Sequence, residues 1–111
     1  MVPSTSQPNF APEDLEAIVD EATIDCYNFE EELSSWGAYL GDELEFPCEV
    51  LAIGKKIQVI QVEERLGRLK FGARVGGKRY WIDVTDVEVA DTTSRNAKLL
   101  AAYRHWLGGE A

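Results

Sequence analysis

The sequence predicts an α+β domain in which N-terminal helices precede a four-stranded antiparallel meander and a C-terminal helix ends the fold. Apolar residues recur at helical spacing over residues 12–22 and 29–40, and again over 99–107. After Phe46-Pro47 the period changes to two, which is typical of strands. With 111 residues and 45% apolar content, the chain can bury one core but is too short for two domains.

The first eleven residues differ in composition from the rest of the chain. Residues 1–11 are rich in Pro and Ser, so we expect a flexible tail there and a single domain over 12–109. No apolar run approaches the roughly 20 residues that cross a bilayer, and the start lacks a signal-peptide pattern. These features favour a cytoplasmic protein, in which Cys26 and Cys48 are expected as two buried thiols rather than a disulfide.

Three helices are expected from capping and apolar spacing. Pro12 suits the first turn of one helix, and Asn28 with Glu31 has the spacing of a capping box at the start of the next. Periodicity alone leaves open one continuous helix, although two are favoured. The last helix is expected between the cap Ser94 and a stop at Gly108-Gly109.

The strands follow one another too closely for helical crossovers, which predicts antiparallel pairing. A two-residue turn at Gly76-Gly77 places Gly72 opposite Trp81 and Leu69 opposite Val84. It also sets two arginines opposite each other, a contact that costs stability unless an acidic group is near, and we expect the acidic half to supply that group. The four strands are predicted at residues 48–53, 57–62, 69–75 and 79–84, and the facing arginines are Arg74 and Arg79.

Charge divides the chain into two halves. Thirteen Asp and Glu residues precede the first basic residue, Lys55, so residues 1–54 carry −13 and the remainder carries +4, for a net charge of −9. Such a protein repels nucleic acid phosphates and anionic membranes, so we expect neither as a partner. Catalytic motifs are lacking, and the sole histidine, His105, suits the end of a helix. We therefore expect a binding protein and not an enzyme.

Two clusters of carboxylates have the oxygen-donor chemistry of Ca²⁺, an ion that takes six to eight oxygen ligands. Acidic residues at a helix start also stabilise its dipole, which explains the first cluster without a metal. The second cluster lies near a helix end, where negative charge is unfavourable, and has no such explanation. The first comprises Asp25, Glu30, Glu31 and Glu32, the second Asp42, Glu43, Glu45 and Glu49, and Glu63-Glu64 in a strand turn could join either.

Several of these residues resemble a known family, the small bacterial and cyanobacterial calcium-binding proteins that lack EF-hands. The similar segments are Asp25-Cys26-Tyr27, Glu30-Glu31, Trp36, Tyr39-Leu40, Leu44, Phe46-Pro47 and the ending Tyr103-Arg104-His105-Trp106. The resemblance implies an α+β domain with an SH3-like curved sheet that binds Ca²⁺ through acidic side chains in the cytoplasm. Loops are shortened here at residues 54–56 and 63–67, which leaves open whether the metal site is retained.

The sequence thus predicts a cytoplasmic Ca²⁺-binding protein, a buffer or a sensor. The alternative is an acidic interaction module that imitates nucleic acid or docks on a basic protein, which requires only a carboxylate surface. The predicted metal ligands are Asp42, Glu43 and Glu45, and secondarily Asp25, Glu30 and Glu31.

Overall fold

The computed structural model describes residues 10–110 and the side chains of residues 10–108. The predicted tail therefore lies outside the described residues except for Phe10, which packs against the core, and Ala11, which precedes the first helix. The α+β class and the three helices are confirmed. In chain order the elements are α1 (Pro12–Ala22), α2 (Phe29–Glu43), β1 (Cys48–Ala52), β2 (Lys55–Arg65), β3 (Arg68–Val75), β4 (Lys78–Asp83), a 3-10 helix (Val84–Asp86), β5 (Glu88–Val89) and α3 (Arg95–Glu110).

The sheet has five strands in the order β4-β3-β2-β1-β5, and each pair of neighbours is antiparallel. The predicted four-stranded meander is confirmed, and β5 is an additional strand that pairs Val89 with Val50. Two residues are too few to show an alternating pattern, so the sequence gives no signal for it. The β2 strand also extends to Arg65, so the turn before β3 contracts to Leu66 and Gly67.

The β3–β4 hairpin has the predicted register from its turn to Lys70 and Asp83. The pairing of Leu69 with Val84 was wrong, because Val84 begins the 3-10 helix. The reason lies in Asp83, whose carboxylate accepts hydrogen bonds from the N–H and O–H of Thr85 at 2.9 and 2.7 Å and turns the chain away from the sheet. The expectation that the acidic half neutralises the two facing arginines, Arg74 and Arg79, was also wrong, since neither forms an ion pair within residues 10–110.

Side-chain caps define the helix starts as predicted. The N–H of Glu31 donates to Asn28 Oδ1 at 2.8 Å, and the N–H of Ala97 donates to Ser94 Oγ at 3.1 Å. Two separate N-terminal helices are confirmed. The predicted stop at Gly108-Gly109 was wrong, because α3 continues to Glu110. A glycine costs a helix about 1 kcal/mol but does not by itself end it.

The buried side chains form one core between the helices and one face of the sheet. Trp36 of α2 is fully buried at its centre, with ring centroids 5.4 Å from Tyr103 and 5.9 Å from Trp106 of α3. From the sheet, β3 contributes Leu69 and Phe71. No helix within residues 10–110 is long and apolar enough to cross a membrane. The helices pack against the face that carries Leu69 and Phe71. On the opposite face, the outer face, Arg65, Arg74 and Arg79 are exposed.

Candidate metal centre

The six predicted ligands lie at opposite ends of α2. Asp25, Glu30 and Glu31 surround its start, whereas Asp42, Glu43 and Glu45 surround its end. A helix of 15 residues that rises about 1.5 Å per residue separates the two groups by roughly 20 Å. The two groups therefore cannot share one ion, and each end must be assessed separately.

At the start of α2 the carboxylates take part in the fold. Glu31 Oε1 accepts a hydrogen bond from the N–H of Tyr27 at 2.8 Å, while the N–H of Glu31 donates to Asn28. Glu32 Oε1 accepts from Trp106 Nε1 at 2.9 Å and so ties α2 to α3. These bonds and the helix dipole account for the acidic residues at this end without a metal ion.

At the end of α2 the charges are placed against the helix dipoles. Glu43 is the last residue of α2 and Arg95 is the first residue of α3, and each charge has the sign that its helix end disfavours. The two side chains form an ion pair, so each neutralises the other. The amide of Asn96 adds two hydrogen bonds to the backbone of Glu45, both 3.0 Å. The segment from Glu43 to Glu45 is thereby fixed to the first turn of α3.

Beside this segment is an open cleft of about 200 Å³. Three carboxylate residues line it, and they come from different parts of the chain: the α2–β1 connection, β1 and the loop after β5. Glu49 belongs to the second predicted cluster, but Asp91 was missed by sequence reasoning. The lining residues that bear polar or sulfur groups are Glu45, Glu49, Asp91, Cys48, Ser94 and Asn96.

Asp91 is held in place by a local turn. Its carboxylate accepts from the O–H of Thr93 at 2.7 Å and from the N–H of Thr93 at 3.0 Å. These two bonds lower the pKa of Asp91, so the side chain stays ionised at neutral pH. The sequence signal was the run Asp91-Thr92-Thr93-Ser94, which has the composition of a turn before a helix cap and gives no indication that it approaches Glu45.

The donor chemistry of the cleft fits a calcium ion, because carboxylates are the hard oxygen ligands that Ca²⁺ takes. Burial raises the pKa of the Cys48 thiol, and sulfur is a soft donor that does not suit Ca²⁺, an ion that takes oxygen ligands. The positions of these carboxylates fit a calcium ion less well than their chemistry does. Within residues 10–110, no group of three or more His, Cys, Asp or Glu side chains is arranged to hold a metal ion. The carboxylates share an opening but do not converge on one point.

The pair Glu63-Glu64 does not join either cluster. Both residues lie within β2 and not in a turn, because that strand is longer than predicted. Glu63 forms an ion pair with Arg65 at 3.1 Å, and Glu64 accepts a hydrogen bond from Ser34 Oγ at 2.9 Å. Their carboxylates are thus used in contacts along β2 and to α2.

A family model described as calcium binding, Calci_bind_CcbP, matches residues 16–107. The chain belongs to the CcbP calcium-binding family. The predicted family resemblance is therefore confirmed, and the CcbP family is defined by binding a metal ion and not by a reaction. A search of curated proteins gave no match.

Two solved structures share the fold of this CcbP-family chain. The crystal structure of Anabaena CcbP has a TM-score of 0.73 and 20% sequence identity, and the match covers 88% of this chain and 92% of that one. A structure described as a calcium binding protein in the calcium-binding form has a TM-score of 0.72 and 22% identity, and covers 91% of this chain and 98% of that one. At this level of identity the two structures establish the α+β fold alone.

Proposed function

We propose that this chain binds Ca²⁺ in the cytoplasm through carboxylates outside an EF-hand, as a buffer or a sensor. Membership of the calcium-binding family over residues 16–107 carries the proposal. The similar fold described as being in the calcium-binding form adds support. The protein acts by binding, and its folded unit is a single domain over residues 12–109.

We place the ion at the end of α2. Of the predicted residues, Glu45 lines the cleft with Glu49 and Asp91, and Asp42 and Glu43 are the last two residues of the adjoining helix. Because these carboxylates do not converge within the described residues, binding one ion requires them to move together. Negative charge that opposes a helix dipole has a cost in stability. Glu43 is neutralised by Arg95, whereas Asp42 and Glu45 form no ion pair within the described residues, so a bound cation would offset their charge. Asp25, Glu30 and Glu31 remain secondary candidates, because the bonds of Glu31 already explain part of that group.

The cleft also bears on whether the protein is a buffer or a sensor. Arg95 and Asn96 connect the carboxylate segment to the first turn of α3. A sensor is expected to change the amide exchange of residues 95–98 when Ca²⁺ is added, because an ion at Glu43 competes with Arg95. A buffer is expected to leave exchange in α3 unchanged. Hydrogen exchange measured with CaCl₂ and with EDTA separates the two roles.

Thermal unfolding with millimolar CaCl₂, with EDTA and with MgCl₂ tests the proposed function. A site filled at 100 times its dissociation constant adds about 2.7 kcal/mol of stability. For a domain of this size, that corresponds to a rise of about 10 °C or more in Tm. MgCl₂ controls for charge screening. A shift that is equal in CaCl₂ and MgCl₂, or no shift, contradicts calcium binding.

The second candidate function, an acidic interaction module for a basic protein, is favoured by one observation. The carboxylates of α1 are exposed and spread along the helix instead of converging. Such a surface suits a cationic partner and needs no metal ion. This function predicts binding to a Lys-rich peptide that weakens with salt and does not change with EDTA. The exposed acidic residues are Glu13, Asp14, Glu16, Asp20 and Glu21.

A further inference from the structure

The outer face of the sheet carries exposed arginines around a half-buried tryptophan, a surface that calcium binding does not use. We call it the arginine–tryptophan face and define it as Arg65 of β2, Arg74 of β3, and Arg79 and Trp81 of β4. In the registers of the sheet, these side chains lie on the side opposite the buried Phe71. The surface has the opposite charge to the acidic helices on the inner side.

The position of Trp81 depends on the glycine opposite it. A Cβ atom at Gly72 would lie 3.1 Å from the ring of Trp81 and 2.9 Å from Cγ of Gln61. The absence of a side chain at Gly72 therefore lets the indole lie against the backbone of β3. An aromatic residue that covers a glycine in this way stabilises a sheet.

Two arginines flank the half-buried indole. Cζ of Arg65 lies 4.4 Å from the ring centroid of Trp81, and Cζ of Arg79 lies 5.9 Å from it, both within cation–π range. Arg65 also pairs with Glu63. Arg79 faces Arg74 directly across the hairpin, and neither forms an ion pair within the described residues. Like charges placed opposite each other destabilise a sheet, and an acidic group from outside the chain would relieve that cost.

The face lies at an edge of the sheet. Within residues 10–110 the sheet order is β4-β3-β2-β1-β5, so β4 has a neighbour on one side only there. The backbone groups on its free side are available to an extended chain, which adds to such an edge by main-chain hydrogen bonds. A segment bound there runs beside Arg79 and Trp81, so acidic side chains on it meet guanidinium groups.

We propose that the arginine–tryptophan face docks an extended acidic segment of a partner protein. Carboxylates of the segment pair with Arg74 and Arg79, and its backbone adds to β4. Arginine suits this role because its planar guanidinium group binds a carboxylate through two parallel hydrogen bonds. The proposal is independent of calcium binding.

Two other occupants fit less well. Nucleic acid has a much denser negative charge than an acidic segment, so the net charge of −9 repels it more strongly. A second copy could offer its acidic helices, but these pack on the inner side of the sheet, opposite the arginine–tryptophan face. Contacts between such opposite surfaces join copies head to tail and do not close into a dimer.

The proposal is tested by titrating the full chain with a short synthetic peptide of alternating Glu and Thr, with a Gln/Thr peptide as the neutral control. The indole N–H of Trp81 reports binding by NMR, and calorimetry gives the affinity. Changing both arginines to glutamine, Arg74→Gln with Arg79→Gln, is expected to weaken binding by about tenfold or more. The control, Lys55→Gln with Lys56→Gln, makes the same change of charge at the start of β2 and is expected to alter affinity by about twofold at most.

Four results overturn the proposal. They are no binding of the Glu/Thr peptide, equal weakening by both double variants, tighter binding of a single-stranded oligonucleotide, and a salt-sensitive increase in mass by light scattering in the absence of peptide. A fifth such result is a glutamine variant that aggregates and still binds the peptide, as expected if the arginines only protect the edge. Should that variant fail to fold, Arg74→Lys with Arg79→Lys keeps the charge and still loses the bidentate contacts, so weaker binding is again expected.

Discussion

The two ends of α2 carry a similar density of carboxylates in very different settings. At the start, Glu30, Glu31 and Glu32 lie where the helix dipole favours negative charge, and two of them accept hydrogen bonds. At the end, Glu43 opposes the dipole and depends on Arg95 for neutralisation. Equal charge density therefore indicates a helix cap in one place and a candidate ion site in the other. Position in the local structure decides between them.

The largest effect on stability is expected at the end of α2, where Asn96 ties the Glu45 backbone to α3 through two hydrogen bonds. Asn96→Ala removes both and is expected to lower the free energy of unfolding by about 1–3 kcal/mol in urea titrations. It is also expected to weaken calcium binding, because the segment is no longer held at the cleft. A variant that is destabilised but binds Ca²⁺ normally contradicts this positioning role.

The matching change at the start of α2 is Asn28→Ala, which removes the N-cap acceptor of the Glu31 N–H. The expected loss is about 1 kcal/mol, typical of a helix cap. Unlike the change at Asn96, it is expected to leave the calcium affinity unchanged. Urea unfolding and calcium titration of the same sample test both statements. A large loss of calcium affinity in this variant would indicate an ion at the start of α2 and would contradict our account.

A smaller effect is expected for Glu43→Gln, which breaks the ion pair with Arg95. Both side chains are more than a third exposed, so the pair contributes only about 0–1 kcal/mol. Removing a negative charge from a helix end also offsets part of that loss. A double-mutant cycle with Arg95→Gln measures the coupling, which is expected to decrease as salt is added. Coupling that does not respond to salt contradicts a solvent-exposed pair.

The smallest effect concerns pH at the cleft. The hydroxyl and amide of Thr93 lower the pKa of Asp91, so any stability from this group is present above the unfolded pKa and is lost as pH falls through the folded pKa. Thr93→Val removes the hydroxyl bond, and the pKa of Asp91 is expected to rise towards its ordinary value. An NMR titration of the Asp91 carboxyl measures this directly. An unchanged pKa shows that the amide bond alone sets it.

Local patterns predicted most of the fold, and contacts between distant segments account for the errors. The cap at Asn28 and the Gly72–Trp81 pairing depend on residues close in sequence, and both are confirmed. The strand β5 was missed, because it is defined only by its pairing with β1. The two facing arginines were expected to meet acidic groups, but alternation along β3 places Arg74 on the side of the sheet away from the helices.

The candidate site shows the same limit. Glu45 and Glu49 were recognised as part of an acidic cluster, because they are close in sequence. Asp91 joins them through the β5 pairing and the bonds of Asn96 to Glu45. Such contacts between distant segments leave no periodic pattern in the sequence. The separation of the two clusters by the length of α2 also required knowing that residues 29–43 form one unbroken helix.

The most direct measurement compares calcium binding by two triple variants in calorimetry, each of which removes three carboxylates. One changes the cleft, with Glu45→Gln, Glu49→Gln and Asp91→Asn. The other changes the start of α2, with Asp25→Asn, Glu30→Gln and Glu31→Gln, where asparagine suits the positive φ of 62° at Asp25 and glutamine keeps a side-chain oxygen that can accept from the Tyr27 N–H. Our account predicts that the cleft variant loses calcium binding and that the other keeps the wild-type affinity within about twofold. Loss of binding in the second variant alone, or equal loss in both, contradicts it.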